Sequence, residues 1–172
     1  KGKFRNITKE TGLGDDTGWW NSITCGDFDN DNDIDYIVGN LGQNSFYKAS
    51  PQYPVSIYAS DFDNNGSYDA FPTLYLTVSQ TDTSKKEYPA HTRDDAIKQM
   101  LKIRTLFTNY KLYANSTIQE VFTPDLLAKA LKVSVNNLNS SFIRNDGNGK
   151  FSINPLPALA QVSVLNGMIA DD

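Results

Sequence analysis

The chain has 172 residues and a formal net charge of -4, with 39% hydrophobic and 12% aromatic residues. This composition is typical of a folded globular protein and not of a disordered one. The acidic balance leaves no basic surplus to neutralise phosphates, which argues against a nucleic-acid partner. No apolar run approaches the roughly 18 residues that a membrane helix needs, so the sequence predicts no transmembrane segment. Cys25, the only cysteine, cannot form an intrachain disulfide, and its strand-like setting predicts a buried side chain.

Two segments of the chain, residues 22–38 and 56–72, share one pattern of strand, acidic loop and strand. Acidic side chains occupy alternate positions of the first loop, and the second loop keeps this spacing. Such spacing supplies the hard oxygen ligands that calcium prefers. The predicted calcium ligands are Asp27, Asp29, Asp31, Asp33 and Asp35 in loop 1, and Asp61, Asp63, Asn65, Ser67 and Asp69 in loop 2.

The loops differ from an EF-hand, which needs a glutamate at position 12 and flanking helices. Position 12 is Val38 in one copy and Pro72 in the other, and both flanks are strand-like. Gly66 and Asn32, at position 6, are predicted to adopt the positive φ that folds each loop around an ion. A solvated acidic turn is the alternative, but carboxylates gathered this closely repel one another without a cation. The side chains of each loop would fill most coordination positions of its ion and leave little room for a substrate, which favours a structural ion over a catalytic one.

After loop 2 the sequence changes from strand to helix periodicity. The segment 77–86 is rich in Ser and Thr and predicts a loop or hairpin tip. Apolar residues three and four apart then predict an amphipathic insertion. Its expected helices are one long or two short ones over residues 93–110, another capped by Ser116 or Thr117, and a third capped by Thr123 with Pro124 at its first position.

Strand character returns at residues 132–138 and 141–144, and residues 145–151 predict a turn-rich hairpin. The pattern divides the chain into residues 1–82 with both loops, residues 83–131 as loop and helical insertion, and residues 132–172 as returning strands. Residues 167–172 match the lead-in to loop 1, with Asp172 in the place of Asp27. The sequence therefore predicts a chain that stops within a repeat, as a piece of a longer protein.

Residues 26–40 resemble the FG-GAP/VCBS repeat, the calcium-loop blade of integrin-α-like propellers. Residues 145–151 and 87–94 look like the ASPIC/UnbV-type group of VCBS proteins, common in Bacteroidetes. The resemblance implies a mainly β fold of β-propeller blades, here a partial propeller with an α-helical insertion. It also implies that calcium stiffens the turn between the first two strands of a blade. An extracellular or outer-membrane-associated bacterial protein is expected.

The resemblance implies a binding or adhesion module for an unknown protein or glycan ligand, and the residues indicate no catalytic group. His91 is the only histidine and forms no transition-metal set, so a structural role is expected. The alternative is a non-catalytic part of a propeller-type polysaccharide-active enzyme. Two loops cannot close a propeller of at least four blades, and open blade edges would allow self-association.

Overall fold

The computed structural model describes residues 2–170, and the predicted half-motif at Asp172 lies outside them. The described residues form two compact units. One contains the chain up to Tyr47 together with the chain from Val135 onward, and the other is Lys48–Ser134. In chain order the strands are β1 (Ser22–Gly26), β2 (Asp35–Gly39), β3 (Val55–Ser60), β4 (Asp69–Thr77), β5 (Lys85–Pro89), β6 (Leu131–Val135), β7 (Ser141–Gly147) and β8 (Lys150–Pro155).

The fold is mainly β, as predicted, and is built from two four-stranded sheets of order β1-β2-β7-β8 and β5-β4-β3-β6. Both sheets are open, and within residues 2–170 the strands form no closed barrel or propeller. The first sheet is antiparallel throughout and belongs to the first unit. The sheet joins two hairpins that are distant in the sequence: Ile37 of β2 pairs with Phe142 of β7.

The units of the structure do not follow the ranges 1–82, 83–131 and 132–172 along the chain. The entire second unit is inserted between β2 and β7, so that loop 1 and loop 2 belong to different units. The returning strands β7 and β8 complete the sheet that β1 and β2 begin. Long-range strand pairing of this kind leaves no periodic signal in the sequence.

Several helices after β5 share a core with the second sheet, and four of them begin at residues whose capping chemistry the sequence shows. Thr92 and Asn109 each accept a hydrogen bond from a backbone N–H of the first turn, and Thr117 forms a capping box with Glu120. Thr123 caps a helix that has proline in its first turn, as predicted. The helices are α1 (Thr8–Thr11), α2 (Arg93–Gln99), α3 (Ile103–Leu106), α4 (Tyr110–Ala114), α5 (Ile118–Val121) and α6 (Pro124–Lys129).

Residues 93–110 contain two short helices, α2 and α3, before α4 begins at Tyr110, which is the second of the two predicted arrangements. Met100, Ile103 and Phe107 are buried together with Phe71 of β4. Their spacing of three and four residues is that of one amphipathic face, as the sequence predicts, although the chain leaves the helical conformation between Gln99 and Ile103. The segment 83–89, predicted as part of the insertion, instead contains β5, which pairs with β4.

Cys25 contradicts its predicted burial. The side chain is exposed, as is that of Ile23, because β1 is the edge strand of its sheet and its burial alternates along the strand. An apolar strand pattern predicts a buried face, but no segment among residues 2–170 buries this face of β1.

Candidate metal centres

Both acidic loops connect the two strands of a β-hairpin, and they do so in the same register. Loop 1 lies between β1 and β2 and is closed by the pair Gly26–Asp35. Loop 2 lies between β3 and β4 and is closed by the pair Ser60–Asp69. The predicted order of strand, acidic loop and strand is therefore present twice, with the last aspartate of each loop as the first residue of the second strand.

The aspartate at position 1 organises the backbone of each loop. The two carboxylate oxygens of Asp27 accept hydrogen bonds from the backbone N–H groups of Asp31, at 3.1 Å, and Asn32, at 3.0 Å. Asp61 accepts from the corresponding groups of Asn65, at 3.0 Å, and Gly66, at 2.9 Å. The backbone thus curls around the first acid in the same way in both loops.

Positions 5 and 9 repeat their contacts as well. In loop 1 the Asp31 side chain accepts from the backbone N–H of position 7 at 3.0 Å, and in loop 2 the Asn65 side chain does so at 2.8 Å. The Asp35 carboxylate accepts from the N–H of Phe28 at 3.3 Å, and Asp69 accepts from that of Phe62 at 3.2 Å. Side chains that bond their own backbone two residues on are typical of Asx turns.

Positive backbone φ angles occur where the sequence predicts them. Asn32 has a φ of 70° and Gly66 a φ of 88°. A second positive φ, which the sequence analysis missed, occurs at position 4 of each loop, at Asn30 (62°) and Asn64 (59°). Asparagine is among the few residues that adopt this region readily, so its recurrence at position 4 was an available signal.

Three carboxylates converge in each loop. Oxygen atoms of Asp27, Asp29 and Asp35 lie within 4.8 Å of one another, and oxygen atoms of the three matching residues of loop 2 do the same. Asp31 and Asp33 are not part of the convergent triad in the described structure; the Asp31 side chain holds the loop backbone instead. The loop 2 triad is Asp61, Asp63 and Asp69.

Each loop also contains one buried carboxylate oxygen without a hydrogen-bond partner in the described part of the chain. The Oδ1 atoms of Asp33 and Asp63 are buried and have no hydrogen-bond partner among residues 2–170. A buried carboxylate oxygen without a partner is costly, and a bound metal ion would satisfy it. Both acidic clusters could therefore hold a metal ion, and their donors are the hard oxygens of carboxylates.

The electrostatics agree with this conclusion. Partial desolvation, followed by the charges of neighbouring aspartates, raises the pKa of Asp29 and of Asp33. Burial also raises the pKa of Asp69; the hydrogen bond from Phe62 opposes the shift, and Asp63 and Asp61 add to it. In each case the charged form is destabilised by its surroundings, and a cation would relieve that destabilisation.

Loop 1 is supported by a hairpin distant in the sequence. The backbone N–H of Asn145, in β7, donates to Oδ1 of Asp35 at 2.8 Å, and its side chain donates to the Ile34 carbonyl at 3.4 Å. Asp35 is completely buried by these contacts. The sequence identified residues 145–151 as a hairpin, which is confirmed as the β7–β8 connection, but nothing in the sequence indicated its contact with loop 1.

Loop 2 is instead anchored in the core of its own unit. Phe62, between two of the converging aspartates, is buried and stacks on Phe122, with ring centroids 4.1 Å apart. Gln99 of α2 accepts a hydrogen bond from the Ala70 N–H at 2.8 Å, next to Asp69. The equivalent Phe28 of loop 1 is only partly buried and meets Phe142 at 6.3 Å. The two loops therefore share their geometry but not their surroundings.

His91 has a structural position, as expected. Its ring is hydrogen-bonded to Gln99 at 3.1 Å and packs edge-on against Phe71. Burial lowers the pKa of His91, which keeps the ring neutral near pH 7.

No protein-family model, curated protein or solved structure matches the chain. Among residues 2–170 no helix has both the length and the apolar character needed to cross a bilayer.

Proposed function

We propose that the protein is a calcium-binding module whose two loops hold structural calcium ions, and that it binds a protein or glycan ligand outside a bacterial cell. The observation that carries the proposal is the repeated geometry of the loops. Two segments of different sequence context form the same hairpin register, the same side-chain to backbone hydrogen bonds and the same triad of carboxylates. A purely solvated turn gives no reason for this agreement.

Calcium is the cation that fits best. Residues 27–35 and 61–69 contain no histidine or cysteine, so softer metals such as zinc lack their usual ligands. Calcium accepts a variable number of carboxylate and carbonyl oxygens, whereas magnesium demands near-octahedral geometry and usually keeps several waters. The backbone carbonyl at position 7, in Asp33 and Ser67, is proposed as a further ligand beside the triads.

A structural role for the ion is favoured over a catalytic one. Each triad lies in the turn of a hairpin and draws its members from a single loop, so that binding would stiffen the turn. The same reasoning supports a binding module over an enzyme. The likeness to FG-GAP/VCBS repeats is part of the proposal, and the four-stranded antiparallel sheet that carries loop 1 has the strand number of a propeller blade.

Edge strands supply the proposed route to self-association. Ile23 on β1 and Val133 on β6, which lie at the edges of their sheets, are 67% and 56% exposed. Apolar edge strands present unpaired backbone groups and invite pairing with another chain. Further blades of a longer propeller would cover the same edges.

The experiment that tests this function compares the calcium-loaded protein with the variant Asp29→Asn/Asp63→Asn on arrays of bacterial and host glycans and of extracellular proteins. Calcium-dependent binding that the double variant loses is the expected result. Turnover of a polysaccharide would contradict the non-enzymatic proposal. Binding that persists unchanged in chelator would contradict the role of the loops.

A further inference from the structure

A single basic side chain lines the cleft beside loop 1. The cleft has a volume of about 370 Å³ and lies between loop 1 and the β7–β8 hairpin. Its lining residues are Asp29, Asp31, Asp33, Arg144, Asn145, Asp146 and Gly147. Arg144 is therefore the one cation among the residues that face the carboxylates of loop 1 across this cleft.

The guanidinium of Arg144 is held in place by its own hairpin. Its Nε and Nη2 atoms lie 2.7 Å and 2.6 Å from Oδ1 of Asp146, which also accepts a hydrogen bond from Ser152 at 3.2 Å. The next residue, Asn145, bonds the buried Asp35 through its backbone. The β7–β8 hairpin thus holds the Arg144 guanidinium in this cleft, where its partner is Asp146 and not a carboxylate of loop 1.

We propose that Arg144 is a built-in counter-cation that weakens the binding of a divalent ion by loop 1 relative to the affinity that its carboxylates alone would give. This inference rests on the proposed function, because it assumes that loop 1 binds calcium. A positive charge near the site stabilises the carboxylates of the ion-free loop and repels the incoming ion. Both effects lower the affinity.

The charges around the two loops support the inference. Arg144 lines the same cleft as the carboxylates of Asp29, Asp31 and Asp33. Affinity in calcium loops increases with ligand charge, and loop 1 contains more aspartates than loop 2. Arg144 offsets part of this difference, so that the two affinities become more similar.

The test is a calorimetric titration of the full chain with calcium in an Asp63→Asn background, which weakens loop 2 and isolates loop 1. Arg144→Gln is expected to tighten binding by about threefold to tenfold, the effect of one unit charge on a divalent ion across a solvated cleft. Arg144→Lys keeps the charge and should leave the affinity within about twofold. Because the Arg144 side chain is 51% exposed, these substitutions leave the core intact.

Two further measurements separate a local charge from a general one. Arg5→Gln makes the same change in net charge at an exposed ion pair with Glu10, outside the cleft, and should not tighten binding. The gain from Arg144→Gln should shrink as salt increases, since screening shortens the reach of exposed charges, while arginine stays protonated at all working pH values.

The outcomes distinguish this inference from the proposed function. If the wild-type chain binds no calcium, both are overturned. If it binds calcium but Arg144→Gln leaves the loop 1 affinity unchanged or weaker, only the role of Arg144 is overturned. An equal gain from Arg5→Gln would also overturn it, because the effect would then belong to the net charge.

Discussion

The substitution Asp69→Asn removes one negative charge from loop 2 and changes little else. Asparagine has the same shape, and its carbonyl oxygen can still accept the hydrogen bond that the Phe62 N–H donates at 3.2 Å. Asp69 is only 2% exposed, so the substituted group lies at the buried side of the loop. Its carboxylate oxygen lies within 4.8 Å of oxygens of Asp61 and Asp63.

The magnitude of the repulsion follows from this distance. Two unit charges about 4.8 Å apart repel by about 0.9 kcal/mol in water. Salt screens these interactions only in part because Asp69 is buried, and the hydrogen bond from the Phe62 N–H to the Asp69 carboxylate offsets a further part of the repulsion. Two neighbours then destabilise the metal-free wild type by about 1 kcal/mol. Asp69→Asn should therefore stabilise the protein in chelator by about 1 kcal/mol.

Calcium should reverse the sign of this effect. An ion present at 100 times its Kd stabilises the wild type by about 2.7 kcal/mol, and a hundredfold weaker site retains only about 0.4 kcal/mol of this. After the relief of repulsion is subtracted, the variant should be less stable than the wild type by about 1 kcal/mol. Thermal unfolding with and without EDTA measures both states, since 1 kcal/mol corresponds to about 4–8 °C in Tm for a small domain.

A matched control is Asp125→Asn, which removes a charge from the first turn of α6 in the same unit and lies outside loop 2. It should change stability by the same small amount with and without calcium. The reasoning is refuted if Asp69→Asn destabilises the chelated protein as much as the calcium-loaded one. Equal stabilisation in both conditions would mean that loop 2 binds no ion.

The remaining predictions concern pH and packing. Burial raises the folded-state pKa of Asp69 above 3.8, so the metal-free wild type gains stability as pH falls through that raised pKa. The advantage of Asp69→Asn in EDTA should therefore shrink as pH falls and be lost below pH 3.8. Phe62→Ala should lower the free energy of unfolding by about 3–5 kcal/mol in urea titrations, whereas Phe28→Ala, which is less buried, should lose clearly less. Glu87→Gln should lower the free energy of unfolding by about 1–3 kcal/mol, because the buried Glu87 accepts hydrogen bonds from the Thr73 and Tyr58 hydroxyls. Glu87 lies outside both loops, so the loss should be equal in calcium and in EDTA. A loss that depends on calcium would contradict the assignment of the ion sites to the loops.

The loops could be predicted from the sequence because their geometry is local. Asp27 needs only the backbone N–H groups four and five residues ahead, and Gly66 needs only its own freedom at positive φ. The helix that begins at Pro124 is equally local, since its cap and its first proline are adjacent. For these features the sequence analysis and the structure agree.

The rest of the fold depends on contacts between distant residues. Nothing near Asp35 in the sequence indicates that Asn145 will donate to it, because the second unit is inserted between them. The strand β5 carries charged residues and resembles a loop, yet Glu87 is buried there because the Thr73 and Tyr58 hydroxyls satisfy its carboxylate. These contacts are determined by tertiary pairing, which overrides the local pattern.

Calcium stoichiometry is the most direct test of the central claim that both loops bind the ion. The chain is first stripped with chelator and then titrated with calcium in a calorimeter. The wild type should bind two calcium ions, and Asp29→Asn and Asp63→Asn should each lose or strongly weaken one of these sites while leaving the other. Absence of binding by the wild type, or binding that both substitutions leave unchanged, would contradict the account.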